Sequence, residues 1–522
     1  MVDFLIIART KNATKGIFWG GLMKIYMMVV PFLMRTVMIY FMGVQYLGLN
    51  SLFTSILQVL NLAELGIGSA MVFSMYKPIA EDDKDQINAL LKLYRKYYRI
   101  VGLIIGLVGI LLTPFIPRLI SGDVPADINI YVLYLLNLSA TVLTYWLFAY
   151  KNSLLQAHQR VDVSSIITLI TNTIQYSIQL FVLIVLKNYY LYVIAILISQ
   201  VINNILTAMI VGKMYPDYKP IGEMNKNDVK GINNRIKDLF TGKLGAVIIN
   251  SADTIVISAF LGLTVLAIYQ NYFYLITAVT GFMEIVFSSM LAGLGNSYII
   301  ETKEKNYSDL EKFTFIFCWL FGFCFCCFLC LYQPFMEIWV GKENMLNFSA
   351  VICFSIYFYV YEINRLLNTF KDAAGLWHED RFRPLITALT NLTLNLVTVQ
   401  IWGIYGVLLS TVISVIVVGM PWILYNIFTV YFNRSLAKKY IMQLLRYTGI
   451  VIVVACITYC TGMLVHIGQW GNFFIRLIIC LILPNVLFLL AYHKNSYFRL
   501  SIQLVDKMTK NKLHLEKRIY RL

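Results

Sequence analysis

About fourteen stretches of this chain are apolar and long enough to cross a bilayer, and they leave little sequence for anything else. At about 22 residues each they consume about 310 of the 522 residues, so no sizeable soluble domain fits between them. The apolar runs are continuous and do not alternate every second residue, which excludes a β-barrel. Only 13% of residues are charged, against about one quarter in a soluble domain, and the mean hydropathy is +0.71. The fold class is therefore an all-α polytopic membrane protein. Residues 1–15 hold one short apolar tetrad and no small-residue cleavage site, so the first span is expected to stay in place.

The distribution of basic residues sets the expected orientation. Of 43 Lys and Arg, 36 fall at the N-terminus or in gaps after even-numbered spans. Arg118, Lys187 and Lys342 alone fall in the other gaps. Positive charge stays on the inner side, which predicts both termini in the cytoplasm of a multi-pass plasma membrane protein. The net charge of +16 thus calls for no nucleic-acid partner. The tail, 496–522, interleaves apolar and basic residues and reads as a helix lying on membrane lipid. Nine cysteines all sit in apolar stretches, five of them in FCWLFGFCFCCFLC (317–330) without a nearby His or carboxylate. They read as packing residues, and no metal site is expected.

The longest internal connection, 212–241, is polar and basic and divides the first twelve spans into six and six. The expected organisation is an N-terminal lobe (1–211), a basic cytoplasmic linker (212–241) and a C-terminal lobe (242–430). Two further helices (446–493) and the basic tail (496–522) follow. The halves echo each other. GVQYLGL (43–49) matches GLTVLAI (262–268), and QAHQRVDVSSIIT (156–168) matches LWHEDRFRPLIT (376–387), each at corresponding span positions. Six spans restore the original orientation, so the repeat is parallel, an arrangement that suits alternating access around a central cavity.

Four segments carry a family resemblance: YLGLNSLFTSILQVLNLAELGIGSAM (46–71), LLQAHQRVDV (154–163), KLGAVIINSADTIVISAFLGLTVLAIYQNYF (243–273) and INRLLNTFKDAAGLWHEDRFRPL (363–385). With them the chain resembles the polysaccharide repeat-unit flippases (Wzx type) of the multidrug/oligosaccharidyl-lipid/polysaccharide exporter superfamily. The resemblance implies two six-helix lobes around a cavity open to one side at a time. It implies a bacterial inner-membrane exporter of undecaprenyl-pyrophosphate-linked oligosaccharide for a surface polysaccharide, whether capsule or O-antigen. It admits polymerase or assembly proteins as partners, and no cofactor is expected beyond H⁺ or Na⁺, which intramembrane acids can couple to transport. It leaves the oligomeric state open.

A pyrophosphate headgroup gives a reason for charges inside spans. Lys24 and Arg35 lie eleven residues, about three turns or 16 Å, apart on one face of the first span, with Pro31 between them. Each can hold the headgroup, Arg35 bidentately. Lys24 can equally snorkel to the inner surface. Arg365 is a third headgroup candidate, or else an i, i+3 partner of Glu362; Arg476 lies near a span end and reads as snorkelling. Glu64, Asp253 and Glu284 are the acids that could couple an ion or form a cavity salt bridge, for example Asp253 with Arg35. Gly66 and Gly68, beside Glu64, and Pro31 are expected hinges. A cation-driven drug exporter of the same superfamily is the alternative function, but basic groups in its cavity would repel hydrophobic cations. A membrane polymerase or glycosyltransferase needs an acid- or His-bearing outer loop, and the outer gaps are short. The expectation is therefore a transporter and no enzyme.

Overall fold

The computed structural model describes residues 2–122 and 124–508, which are mainly helical, with no β-strand among them. Among the described residues, twelve helices are long and apolar enough to cross a membrane, and a bent pair at Ile130–Trp146 and Ala149–Ala157 makes a thirteenth. The 58-residue stretch Lys243–Ile300 is itself two helices, because Gly262 has φ 86° and ψ 174°. Divided there, the described residues offer fourteen candidate crossings, and the chain is a multi-pass membrane protein.

The chain forms two compact units, Met1–Ala267 and Ile268–Leu522. This boundary follows the seventh span, whereas the sequence puts its division at the polar connection 212–241. The first unit contains α1 (Val2–Phe41), α2 (Val44–Leu60), α3 (Ile67–Ala80), α4 (Lys84–Leu112), α5 (Ile130–Trp146), α6 (Asn152–Ala157), α7 (Val161–Phe181) and α8 (Tyr189–Met214). It ends with the first part of α9 (Lys226–Ile300). Small residues let its backbones approach. A Cβ on Gly109 would sit 2.4 Å from Leu138, and one on Gly48 would sit 2.3 Å from the carbonyl oxygen of Leu263. α1 lies along α7, where the Tyr26 hydroxyl bonds Thr173 at 2.9 Å. α1 continues as a helix through Pro31.

The 212–241 segment is an ordered strap along α4. Lys84 pairs with Asp217 at 2.6 Å and Lys92 with Glu223 at 3.5 Å. Buried Asn88 donates to the Asp217 carbonyl and accepts from the Lys219 amide. The Tyr97 hydroxyl donates to Asn233 at 2.7 Å.

The second unit holds the rest of α9, then α10 (Lys303–Val340), α11 (Phe348–Ala373), α12 (Trp377–Asp380), α13 (Arg383–Trp402), α14 (Ile404–Ser414) and α15 (Met420–Asn426). It closes with α16 (Arg434–Met463), α17 (Gln469–Tyr492) and α18 (Ser496–Met508). α10 is its axis, packed on α11, α16 and α17. Fully buried Phe315, Phe321, Phe354, Phe358 and Tyr332 build the core there, and Cys318, Cys326, Cys330 and Cys480 are buried as free thiols. The tail helix α18 turns its apolar face to protein. Phe498 stacks on Trp319 with ring centroids 5.7 Å apart, and Tyr497 donates to the carboxylate of Glu311. The rest of the expected lipid-lying segment, 509–522, is outside the described residues.

The first sequence echo has a shared backbone. Gly43 (φ 108°, ψ 163°) and Gly262 (φ 86°, ψ 174°) break their helices in the same extended, positive-φ conformation, which favours glycine. At the second echo, each elbow turns through a positive-φ residue, Gln159 or Gly375, but the later elbow inserts α12.

Candidate functional site

Each unit surrounds intramembrane carboxylates in its own way. In the first, α2 ends in a tight turn, Asn61–Glu64, and Gly66 (φ 90°, ψ −24°) restarts the helix as α3. A Cβ on Gly66 would lie 2.9 Å from the Ile236 carbonyl oxygen, so α9 packs on this break at backbone distance. Gly68 lies inside α3, where a Cβ would meet the Tyr94 hydroxyl at 3.2 Å. The backbone break in this run is at Gly66, and Gly68 is helical.

The break holds the Glu64 carboxylate among phenols. Tyr98 donates to Oε1 at 2.5 Å and Tyr145 to Oε2 at 2.7 Å. Tyr94 donates to the Tyr98 hydroxyl at 2.8 Å. Hydroxyl donors stabilise a carboxylate in an apolar setting without cancelling its charge. Glu64 also separates two polar cavities. One, of about 350 Å³, includes Gly68, Ser69, Asn152 and Lys243, whose ammonium donates to Ser69 at 3.0 Å. The other, of about 370 Å³, is walled by side-chain amides of α7 and α8.

Lys24 is exposed and Arg35 half-buried on α1, and neither lines these two cavities. Arg35 is within electrostatic reach of Tyr192 on α8. Asp253 is buried on α9.

In the second unit, Arg365 gathers Glu284 and Glu362. Its guanidinium lies 3.4 Å from Glu284 Oε2 and 3.7 Å from Glu362 Oε1, and it donates to the Thr280 carbonyl at 3.0 Å. Glu362 is fully buried and neither of its oxygens is hydrogen-bonded, while the Glu284 side chain is 56% exposed. A second, buried knot was not singled out in the sequence. Asp380 accepts from the Lys371 ammonium at 3.0 Å and, bidentately, from Nε and Nη2 of Arg383 at 2.7 and 2.8 Å. It hides in a basic gap whose charges topology already accounts for. The tyrosine cage and the amide wall were also missed. The visible signal was polar side chains recurring at helical spacing within apolar runs, as in TNTIQ (171–175) and SQVINN (199–204).

Ionisable groups outside the spans are shifted too. Hydrogen bonding to Lys84 holds Asp217 below the usual carboxylate range. Burial lowers His158, so its neutral form is favoured. Among the described residues, no group of three His, Cys, Asp or Glu side chains is placed to hold a metal ion.

The fold is that of known membrane transporters. The structure of the lipid II flippase MurJ in an inward closed conformation matches with a TM-score of 0.68 at 15% identity, covering 92% of this chain and 99% of that one. An inward-facing multidrug resistance MATE family transporter of the MOP superfamily matches with a TM-score of 0.62 at 15% identity, over 79% of this chain and 96% of that one. An outward-facing MATE family transporter scores 0.52 at 14% identity, over 82% and 97%. No curated protein matches by sequence. The family model described as polysaccharide biosynthesis protein matches residues 13–292, more than half of the chain, and the chain belongs to that family.

Proposed function

We propose that this protein is a flippase of a bacterial plasma membrane, with both termini cytoplasmic. It moves polyprenyl-pyrophosphate-linked oligosaccharide repeat units to the outer leaflet by alternating access, coupled to H⁺ or Na⁺. The observation that carries the reading is a polysaccharide biosynthesis family match in a chain with the fold of membrane transporters. Fold-level likeness to a lipid II flippase supports a lipid-linked substrate.

Arg365 suits the headgroup role because a guanidinium fork matches phosphate oxygens, and the exposed Glu284 is a replaceable counter-ion. Lys24 and Arg35 provide further positive charge along α1. Glu64, Asp253 and Glu284 are the coupling candidates, and Gly66, Gly68 and Pro31 the candidate hinges.

The test is to delete the gene and locate the lipid-linked intermediates. Their accumulation on the inner leaflet, relieved by wild type, is expected; normal leaflet distribution would refute flipping. Arg365→Met should lower flipping at least about tenfold, since it removes a charge-assisted contact, with Arg365→Lys recovering part of it. A drug exporter is the second reading, favoured by the anionic, tyrosine-lined Glu64 site. Cation dye efflux that needs Glu64, with flipping absent, would establish it.

A further inference from the structure

The cavity beside Glu64 that is walled by α7 and α8 is not absorbed by the headgroup or coupling roles. α7 and α8 form a hairpin that turns at Lys187 and Asn188. Asn172 and Asn203 each lie 16 residues from that turn, on opposite strands of the hairpin and roughly 24 Å deep at helical rise. Gln175 faces Gln200 one turn nearer the bend, and Asn204 adjoins Asn203. These five amides line one cavity of about 370 Å³, closed at one side by Tyr98, Tyr145 and Glu64.

The amides are half committed. Asn203 donates to Thr171 at 2.9 Å, Asn204 to the Thr144 carbonyl at 3.1 Å, and Gln175 to Gln179 at 3.3 Å. Asn172 donates to the Met27 sulfur at 3.2 Å, and Gln200 accepts from Thr144 at 3.3 Å. Among the described residues, the amide oxygens of Asn172, Gln175, Asn203 and Asn204 accept no hydrogen bond, and the Gln200 amino group donates none. The wall therefore fixes each amide's orientation and offers its other end to the cavity.

Such a wall at membrane depth needs a polar occupant, because unsatisfied amides are unfavourable there. The cavity carries no Lys or Arg, so it does not select phosphate. Its one carboxylate, Glu64, is already held by two phenols. Uncharged acceptors, a donor and two tyrosine faces match a ring bearing several hydroxyls, each both donor and acceptor. The volume lies in the range of about 300–1,000 Å³ usual for small-ligand sites.

We infer that this intra-unit cavity is a glycan subsite, in which the amides of α7 and α8 hold one neutral sugar of the transported oligosaccharide. The inference rests on the function proposed above, and it names where the sugar end of the substrate sits.

The full-length protein in lipid nanodiscs is titrated with the oligosaccharide released by mild acid from the cell's own polyprenyl-linked pool. Inorganic pyrophosphate serves as competitor. Wild type should bind the glycan without displacement by pyrophosphate. Gln200→Leu/Asn203→Leu should weaken binding at least about tenfold, as expected when several ligand hydrogen bonds are lost. Asn172→Leu, on the facing helix, gives an independent reading if the double variant fails to fold. Absence of glycan binding by wild type, wild-type binding by the variants, or displacement by pyrophosphate would overturn the subsite. So would variants that bind glycan normally yet lose proton uptake, which would assign the cavity to ion passage. Flipping is measured separately. Glycan binding without flipping keeps the subsite and refutes the function; flipping without glycan binding does the reverse.

Discussion

The two units meet the same difficulty, a carboxylate inside an apolar helix bundle, with opposite chemistry. The first answers Glu64 with hydroxyls from Tyr98 and Tyr145. The second answers Glu284 and Glu362 with Arg365, and in the connection after that span it buries Asp380 against Lys371 and Arg383. Neutral donors leave net negative charge and open polar space, and polar cavities flank Glu64. In the second unit cations sit beside the acids, and the core around α10 is densely aromatic. The lesson is that intramembrane acids are read by the charge of their partners, and not by their presence.

The contrast can be broken most forcefully at Asp380. Asp380→Ala leaves buried Arg383 without its carboxylate, while Lys371 keeps Asp372 at 2.6 Å, and the uncompensated guanidinium is expected to destabilise by about 3–5 kcal/mol. Thermal unfolding of the detergent-solubilised protein measures it. An unchanged midpoint would show that the second unit does not depend on its ionic knot.

A smaller effect is expected in the tyrosine cage. Tyr98→Phe or Tyr145→Phe removes one hydrogen bond to a charged group, about 1.5–3 kcal/mol each. The two share one acceptor group, so the double variant should depart from additivity. Additive losses in melting experiments would mean that the phenols act as separate packing residues.

The smallest effect lies outside the spans, at the strap. Asp217 is held below its usual range by Lys84, and Lys84 is raised by the same contact. A depressed carboxyl contributes stability that is present above the usual carboxylate range and is lost as pH falls through its folded-state value. Both groups are exposed, so the contribution is slight and screened by salt. Proteolysis of the strap should become faster from neutral pH towards pH 3, and Asp217→Asn should flatten that dependence. A pH response identical in Asp217→Asn would remove the pair from the account.

Much of the fold was legible before any coordinates. Continuous apolar runs fix helices and their number, because a bilayer satisfies no backbone polar groups. Gly43 and Gly262, found as a sequence echo, mark the same helix break at both places, and both fall in the first unit. The i, i+3 spacing of Glu362 and Arg365 brings them within charge distance, at 3.7 Å. Less of the candidate site was legible. Glu64 stood out as an acid in an apolar run, but its partners are ordinary tyrosines 34 and 81 residues away. Asn172 and Gln200 look like tolerated polar residues until a hairpin sets them across one cavity. The strap read as a loose connection because its partners, Lys84 and Asn88, lie more than 120 residues earlier.

The sequence by itself determined a helical membrane protein of about fourteen crossings, because hydrophobic length and backbone satisfaction are local properties of a segment. Only the tertiary structure decided which charges are neutralised, which are caged and which amides face an open cavity. Those outcomes depend on contacts between distant segments, and no local pattern encodes them.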